Sequence, residues 1–199
     1  MYLTTKFEKN ITHFLKNMDL ILADIKIRLS QSISQIQYND IELNQDDFYG
    51  QEDHSRLAEL GMDLFKTSRF YFDENLRSLG RKIYQEWMKN SINKSVADEI
   101  VVCRDDNGQV IGFITIKIDG RIAEPFLVKV DRAFVKKGYG KLLMNKFLSY
   151  VARKRADTII KVCTQLRNQE ALKYFQSFGL TVDGYEFVYH IYPNGFKNV

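Results

Sequence analysis

Proline is scarce in this chain, two among 199 residues, and together with only eleven glycines this leaves no material for long flexible linkers. No apolar run approaches the roughly 20 residues that a membrane-crossing helix needs, so no membrane association is expected. The opening residues, Met1 to Glu8, lack the apolar core of a secretory signal, and a cytoplasmic location is the expectation. Cysteine is limited to Cys103 and Cys163, each inside a β-like run. Both read as buried apolar residues, not as a disulfide in a reducing compartment. The three histidines, His13, His54 and His190, show no zinc-ligand spacing to one another or to a cysteine, so no metal is expected. No internal repeat or low-complexity tract is present.

What is present is an ordinary globular composition with an uneven charge. The net charge is +4, yet residues 129–173 hold twelve Lys/Arg against three acids, which puts +9 there and −5 on the remainder. Such a field attracts anions. Nucleic acid is not the expected partner, because the chain has no Arg-rich recognition helix, no aromatic RNA-binding signature and no Cys/His module. A small phosphorylated ligand suits the clustering of Lys136, Lys137 and Lys141 around Gly138 and Gly140. That cluster follows an apolar strand-like run, Pro125 to Val130, and opens into an amphipathic segment, Leu142 to Arg155. A strand, a Lys/Gly-rich turn and a helix start leave several backbone N–H groups aimed at one point, with the helix dipole adding positive charge. Phosphate binds such a point, and the glycines let it approach the backbone closely.

Periodicity supplies the remaining elements. Helical spacing covers Glu8–Asn17, His54–Phe65, Leu79–Ile92, Gly140–Lys154 and Asn168–Ser177, the last closing on Gly179. Leu20–Leu29 alternates as a strand with a slip of register near Ala23. Ser30–Gln35 reads as a linker, Ile36–Leu43 as a short strand, and Lys66–Asn75 as a loop rich in Arg and aromatics. Glu99–Arg104 and Val110–Ile118 form a hairpin about Asp106-Asn107-Gly108. Further strands are Arg121–Val130, Thr158–Thr164, whose apolar density suggests burial on both faces, and Asp183–Tyr192. The order from residue 54, α–α–β–β–β–α–β–α–β, predicts an α/β chain with a mixed sheet and helices on both faces.

Val135–Gly140, Val-Lys-Lys-Gly-Tyr-Gly, resembles the Arg/Gln-x-x-Gly-x-Gly/Ala pattern of the GNAT superfamily of acetyl-CoA-dependent N-acetyltransferases, with Val135 in the place of the leading Arg or Gln. Asn168-Gln169-Glu170-Ala171, followed by Phe175 and Gly179, is similar to the superfamily's Asn-x-x-Ala…Tyr…Gly spacing. Phe175 stands in the tyrosine's place, and Tyr174 precedes it by about 100° of helix rotation. Within the superfamily, Ser68-Arg69-Phe70, Ile83–Trp87, Cys163–Gln165 with Ala171–Lys173, and Leu15–Leu29 resemble the TDP-fucosamine acetyltransferases. The resemblance implies a GNAT-like fold over residues 36–199, preceded by an extension of helix plus strand over residues 1–35. It implies acetyl-CoA as co-substrate, and as acceptor the 4-amino group of a nucleotide-linked 4-amino-4,6-dideoxyhexose, in cell-surface polysaccharide biosynthesis. The pyrophosphate falls to Val135, Lys136, Lys137, Gly138, Tyr139, Gly140 and Lys141, and the pantetheine arm to Asn168 and Phe175.

Direct acyl transfer needs the thioester positioned, its oxyanion stabilised and the amine delivered neutral. The backbone of Val128, Lys129 and Val130 can pair with pantetheine like an added strand, where Leu127–Val130 splays from its parallel neighbour Ile160–Thr164. The N–H of Val130 is then the oxyanion donor. Glu124 is the candidate base, with Asp131 second, and Tyr174, Tyr185 and Tyr189 are candidate acids. Arg69 offers a planar donor fork to a diphosphate, with Ser68, Phe70 and Tyr71 shaping the acceptor cleft. A protein α-amine or polyamine acceptor, and a non-catalytic acetyl-CoA-binding module, remain open readings. The strand Leu20–Leu29, if left at a sheet edge, would favour a homodimer.

Overall fold

The computed structural model describes residues 2–5 and 19–192. The helix expected over Glu8–Asn17 lies outside them. Twelve elements follow in order: strands β1 (Tyr2–Thr5) and β2 (Asp19–Ser32), helices α1 (His54–Phe65), α2 (Arg69–Phe72) and α3 (Arg77–Ile92), strands β3 (Glu99–Arg104), β4 (Val110–Asp119) and β5 (Ile122–Val130), helix α4 (Tyr139–Lys154), strand β6 (Ile159–Gln165), helix α5 (Gln169–Gln176) and strand β7 (Thr181–Tyr192).

The strands form one sheet in the order β1-β7-β2-β6-β5-β4-β3. Every neighbouring pair is antiparallel except β5 and β6. On one face α4 and α5 cover a core that includes Leu143, Phe147, Val151 and Phe175 with Ile111, Ile114 and Val162 from the sheet. On the other face α1 and α3 bring Leu57, Leu60 and Met88 onto Ile100, Val102 and Phe113. The expected mixed sheet with helices on both faces is therefore present.

Local chemistry explains the elements. Asp105 accepts from Asn107 N at 3.0 Å and Gln109 N at 2.9 Å, and Gly108 takes φ 80°, so the β3–β4 turn closes tightly. Helix α4 is amphipathic, and its buried stripe Leu143, Met144, Phe147, Leu148 and Val151 is fully covered. Strand β2 pairs with β7 on one side and β6 on the other, and its register shifts between Leu22 and Asp24, at the slip read near Ala23. It is thus an interior strand and offers no edge to a second subunit, unlike the edge that made a homodimer attractive.

Three other expectations change. Ser30–Ser32 completes β2 rather than starting a linker, and Ile33 is buried with its N–H on Thr158 O at 2.9 Å. Residues 36–43 form no strand, because α4 side chains take up their backbone groups: Ile41 N donates to Ser149 Oγ at 2.9 Å, and Arg153 Nη1 donates to Ile41 O at 2.7 Å. Strand β6 buries Ile160, Val162 and Thr164, but Ile159 and Cys163 alternate with them on an open face. That open face leads to the site.

Candidate active site

Strands β5 and β6 run parallel and pair only at Ile122 with Ile159 and Ala123 with Ile160. Beyond these residues they part. Asp131 N bonds Ile111 O at 2.7 Å, which makes 129 and 131 the positions of β5 that bond to β4. By the alternation of an antiparallel ladder, the N–H groups of Val128 and Val130 point the other way, into the gap. A bulge sets this phase. Ile114 faces Val128 whereas Ile116 faces Pro125, so β5 carries one extra residue at Phe126–Leu127. The buried Thr115 Oγ1 holds it by accepting from Leu127 N at 2.8 Å. The bulge turns Leu127 and Lys129 toward α1, and Val128 and Val130 toward α4.

The gap opens into a cavity of about 400 Å³. Its far wall is α5, with Asn168, Tyr174 and Phe175, and Gly140 of α4 lies at one end. Lys136 and Gly138, at φ 61° and 91°, fold the loop back on itself before α4. Gly138 is the N-cap, with no side chain capping the helix and no acid in its first turn. The N–H groups of Tyr139, Gly140 and Lys141 therefore lack partners within the helix, beside the exposed Val135, Lys136 and Lys137. Asn168 caps α5, accepting from Ala171 N at 3.1 Å, which leaves its NH2 for a ligand. Tyr174 donates its hydroxyl to Gly140 O at 2.7 Å, and burial pushes its pKa far up. This tyrosine ties α5 to the first turn of α4.

On the α1–α3 face the cavity is lined by Asp63, Thr67 and Tyr84 as well as Lys129. Asp63 accepts from Lys66 Nζ at 2.7 Å and lies 3.7 Å from Lys129 Nζ and 3.8 Å from Arg132 Nε. The Lys66 hydrogen bond first, and these cations after it, hold the Asp63 carboxyl below its ordinary range. Burial pushes Lys129 down. Glu124 is exposed on this side of the sheet but outside the cavity lining, whereas the exposed Phe126 lines it, its ring meeting Trp87 of α3 at 5.8 Å. Asp131 accepts from Ala133 N at 2.9 Å and is ion-paired to Arg56, and both interactions keep it ionised. Cys163 faces the cleft and is exposed, not buried as expected, although its surroundings still enclose the thiol enough to raise its pKa. Tyr185 is exposed, away from the cleft lining.

The loop expected at 66–75 contains the single turn α2. Ser68 caps it, accepting from Tyr71 N at 3.3 Å, and is buried, as is Phe70. Arg69 stacks on Phe70 with 4.3 Å from its guanidinium carbon to the ring centre and borders a separate cavity of about 440 Å³ with Arg167. Of the four residues expected around the acceptor, Tyr71 alone is exposed. Sequence reasoning missed Asp63, Thr67 and Tyr84, which converge only when α1 and α3 dock on β5; no local spacing marks them. Among the described residues, no group of three His, Cys, Asp or Glu could hold a metal ion.

Comparison with known proteins places this geometry. Residues 61–180 match the model described as "Acetyltransferase (GNAT) family". The chain is 30% identical over 146 residues to the spore coat polysaccharide biosynthesis protein SpsD of Bacillus subtilis (strain 168), covering 71% of this chain and 48% of that one. It is 24% identical over 131 residues to dTDP-fucosamine acetyltransferase of Escherichia coli O6:H1 (strain CFT073), covering 64% of this chain and 54% of that one. It thus spans about half the length of these relatives. A tandem GNAT protein from the clavulanic acid biosynthesis pathway superposes with a TM-score of 0.66 at 12% identity, covering 99% of this chain and 65% of that one. With a family model matched over most of the chain and a sheet parted where that family's strand–turn–helix pattern lies, the chain belongs to the acetyltransferase (GNAT) family.

Proposed function

We propose that this protein transfers the acetyl group of acetyl-CoA to a primary amine by direct attack, the amine being the 4-amino group of a nucleotide-linked 4-amino-4,6-dideoxyhexose. The observation that carries the reading is the parted β5–β6 pair, with the N–H groups of Val128 and Val130 aimed into the gap and the uncapped start of α4 at its end. The likeness to a dTDP-fucosamine acetyltransferase and to a polysaccharide biosynthesis protein supports the choice of acceptor.

Each residue then has a task. The N–H groups of Tyr139, Gly140 and Lys141, with Val135, Lys136, Lys137 and Gly138 around them, hold the pyrophosphate. Val128 and Val130 supply backbone pairing to the pantetheine arm, and the N–H of Val130 stabilises the oxyanion; Lys129, whose backbone bonds to β4, contributes only its side chain to the cavity wall. Asn168 and Phe175 wall the arm. The amine nitrogen attacks the carbonyl carbon from the α1–α3 face, the C–S bond breaks, and the thiolate takes a proton from cleft water. Glu124 receives the proton lost by nitrogen, directly or through a water. Tyr174, its hydroxyl already donated to Gly140, acts by holding the α4 turn in place.

Thiol release from acetyl-CoA tests the reading, with a TDP-4-amino-4,6-dideoxyhexose as acceptor and spermidine and an Ala-Arg-Tyr peptide as controls. Turnover with the sugar nucleotide alone is expected. Preference for spermidine or the peptide would move the acceptor class, and acetyl-CoA binding without turnover on any amine would favour a binding module.

A further inference from the structure

A groove of about 1070 Å³ lies between α1 and α3, and Asp63 lines both it and the cleft. Its floor is apolar, with Leu60, Met62 and Phe65, and the exposed ring of Tyr71 stands at its margin. Arg77, Arg81 and Lys82 occupy successive turns of the α3 wall, all three exposed. Among the described residues none of these cations has a carboxylate within ion-pair distance, whereas Glu59 and Asp131 are taken by Arg56 and Asp63 by Lys66. Glu74 is the remaining acid of the lining. Arg77 is held ready: its Nε donates to Tyr71 O at 2.8 Å and its guanidinium carbon sits 5.2 Å from the Tyr71 ring centre. The first turn of α3 contains no acid, so the helix dipole adds to the same positive field.

We propose that this groove is the distal subsite of the acceptor and binds a nucleoside diphosphate, its phosphates against Arg77, Arg81 and Lys82 and its sugar-borne amine reaching the cleft past Asp63. The inference rests on the acetyl-transfer reading above. Arg77 and Arg81, four residues apart, share one helix face with their Cβ atoms about 6 Å apart, so that both forks can reach one diphosphate. Arginine forks give each phosphate paired, charge-assisted hydrogen bonds. The apolar floor and Tyr71 offer a flat surface to a base.

The test is calorimetric titration of thymidine diphosphate into the full chain saturated with coenzyme A, so that the start of α4 is already filled. The double variant Arg77→Ala/Arg81→Ala is expected to bind it about tenfold or more weakly, two charge-assisted contacts being lost. Its affinity for acetyl-CoA should be unchanged, and Arg167→Ala, in the separate cavity beside α2, should bind the nucleotide as the wild type does. No binding to the coenzyme A complex, equal binding by the double variant, or a loss in Arg167→Ala instead would overturn the subsite. Inorganic pyrophosphate binding as tightly as the nucleotide would overturn the ligand class. Acetyl-CoA titrated alone separates the two readings: its failure to bind defeats both, whereas acetyl-CoA binding without nucleotide binding defeats the groove alone.

Discussion

At the scale of single residues, the proposed reaction assigns binding to Tyr174 and chemistry to Glu124. Tyr174→Phe removes one hydrogen bond to Gly140, so stability should fall by about 1 kcal/mol and the KM for acetyl-CoA should rise a few-fold with kcat nearly kept. A fall in kcat of about a hundredfold or more would instead make the tyrosine the general acid. Glu124→Gln should do the reverse, lowering kcat roughly a hundredfold while leaving acetyl-CoA affinity alone. Asp53 carries a pH-dependent share of stability. Burial would raise its pKa, but Arg104, with bonds of 2.7 and 2.8 Å, and Gly50 N at 2.9 Å hold the carboxyl below its ordinary range. A depressed folded pKa means that its contribution is complete above the unfolded value of about 3.9 and fades as pH falls through the folded one. Asp53→Asn should therefore cost about 3 kcal/mol at pH 7 and progressively less as pH falls below the unfolded value, as read by denaturant melts; a cost that does not change with pH would exclude the ion pair as its cause. The turn before α4 was legible in sequence because Lys136–Lys141 are consecutive. Asp63 and Arg81 were not, since only the packing of two helices brings them to one groove.

At the scale of elements, the β5 bulge sets the phase of the cleft. Thr115→Val leaves Leu127 N without its buried acceptor, which should cost about 1–3 kcal/mol and depress kcat more than it changes the KM for acetyl-CoA. Leu29, fully buried on β2, should cost about 2–5 kcal/mol when cut to alanine. Helix α1 and strand β3 begin and end where periodicity put them, for their apolar residues face a single core. The misread segment 36–43 shows the limit of that signal: its apolar residues do approach the core, yet its backbone bonds to α4 side chains rather than to a neighbouring strand. The position of β2 was equally hidden. Its alternation revealed a strand, but pairing with residues more than a hundred positions away leaves no trace in local spacing.

At the scale of the whole molecule, the parted sheet is a window between two helical layers. In the proposed reaction, donor and acceptor reach it from opposite sides, so both should be bound together before transfer. Initial-rate plots should therefore intersect, and Cys163→Ala should keep activity, because the thiol that faces the cleft has a raised pKa and stays protonated. Parallel lines with loss of activity in that variant would point to an acetylated cysteine instead. The +9 carried by residues 129–173 should also make acetyl-CoA affinity fall as salt rises.

The interior place of β2 governs how the chain is made. This strand is made well before its partners on both sides, residues 159–192. At about 5–20 residues per second the strand waits roughly 6–30 s without a ladder. An unpaired strand of that length invites association with other nascent chains. Asp24, Lys26 and Arg28, alternating through its middle, supply charges that oppose such association until β6 and β7 arrive.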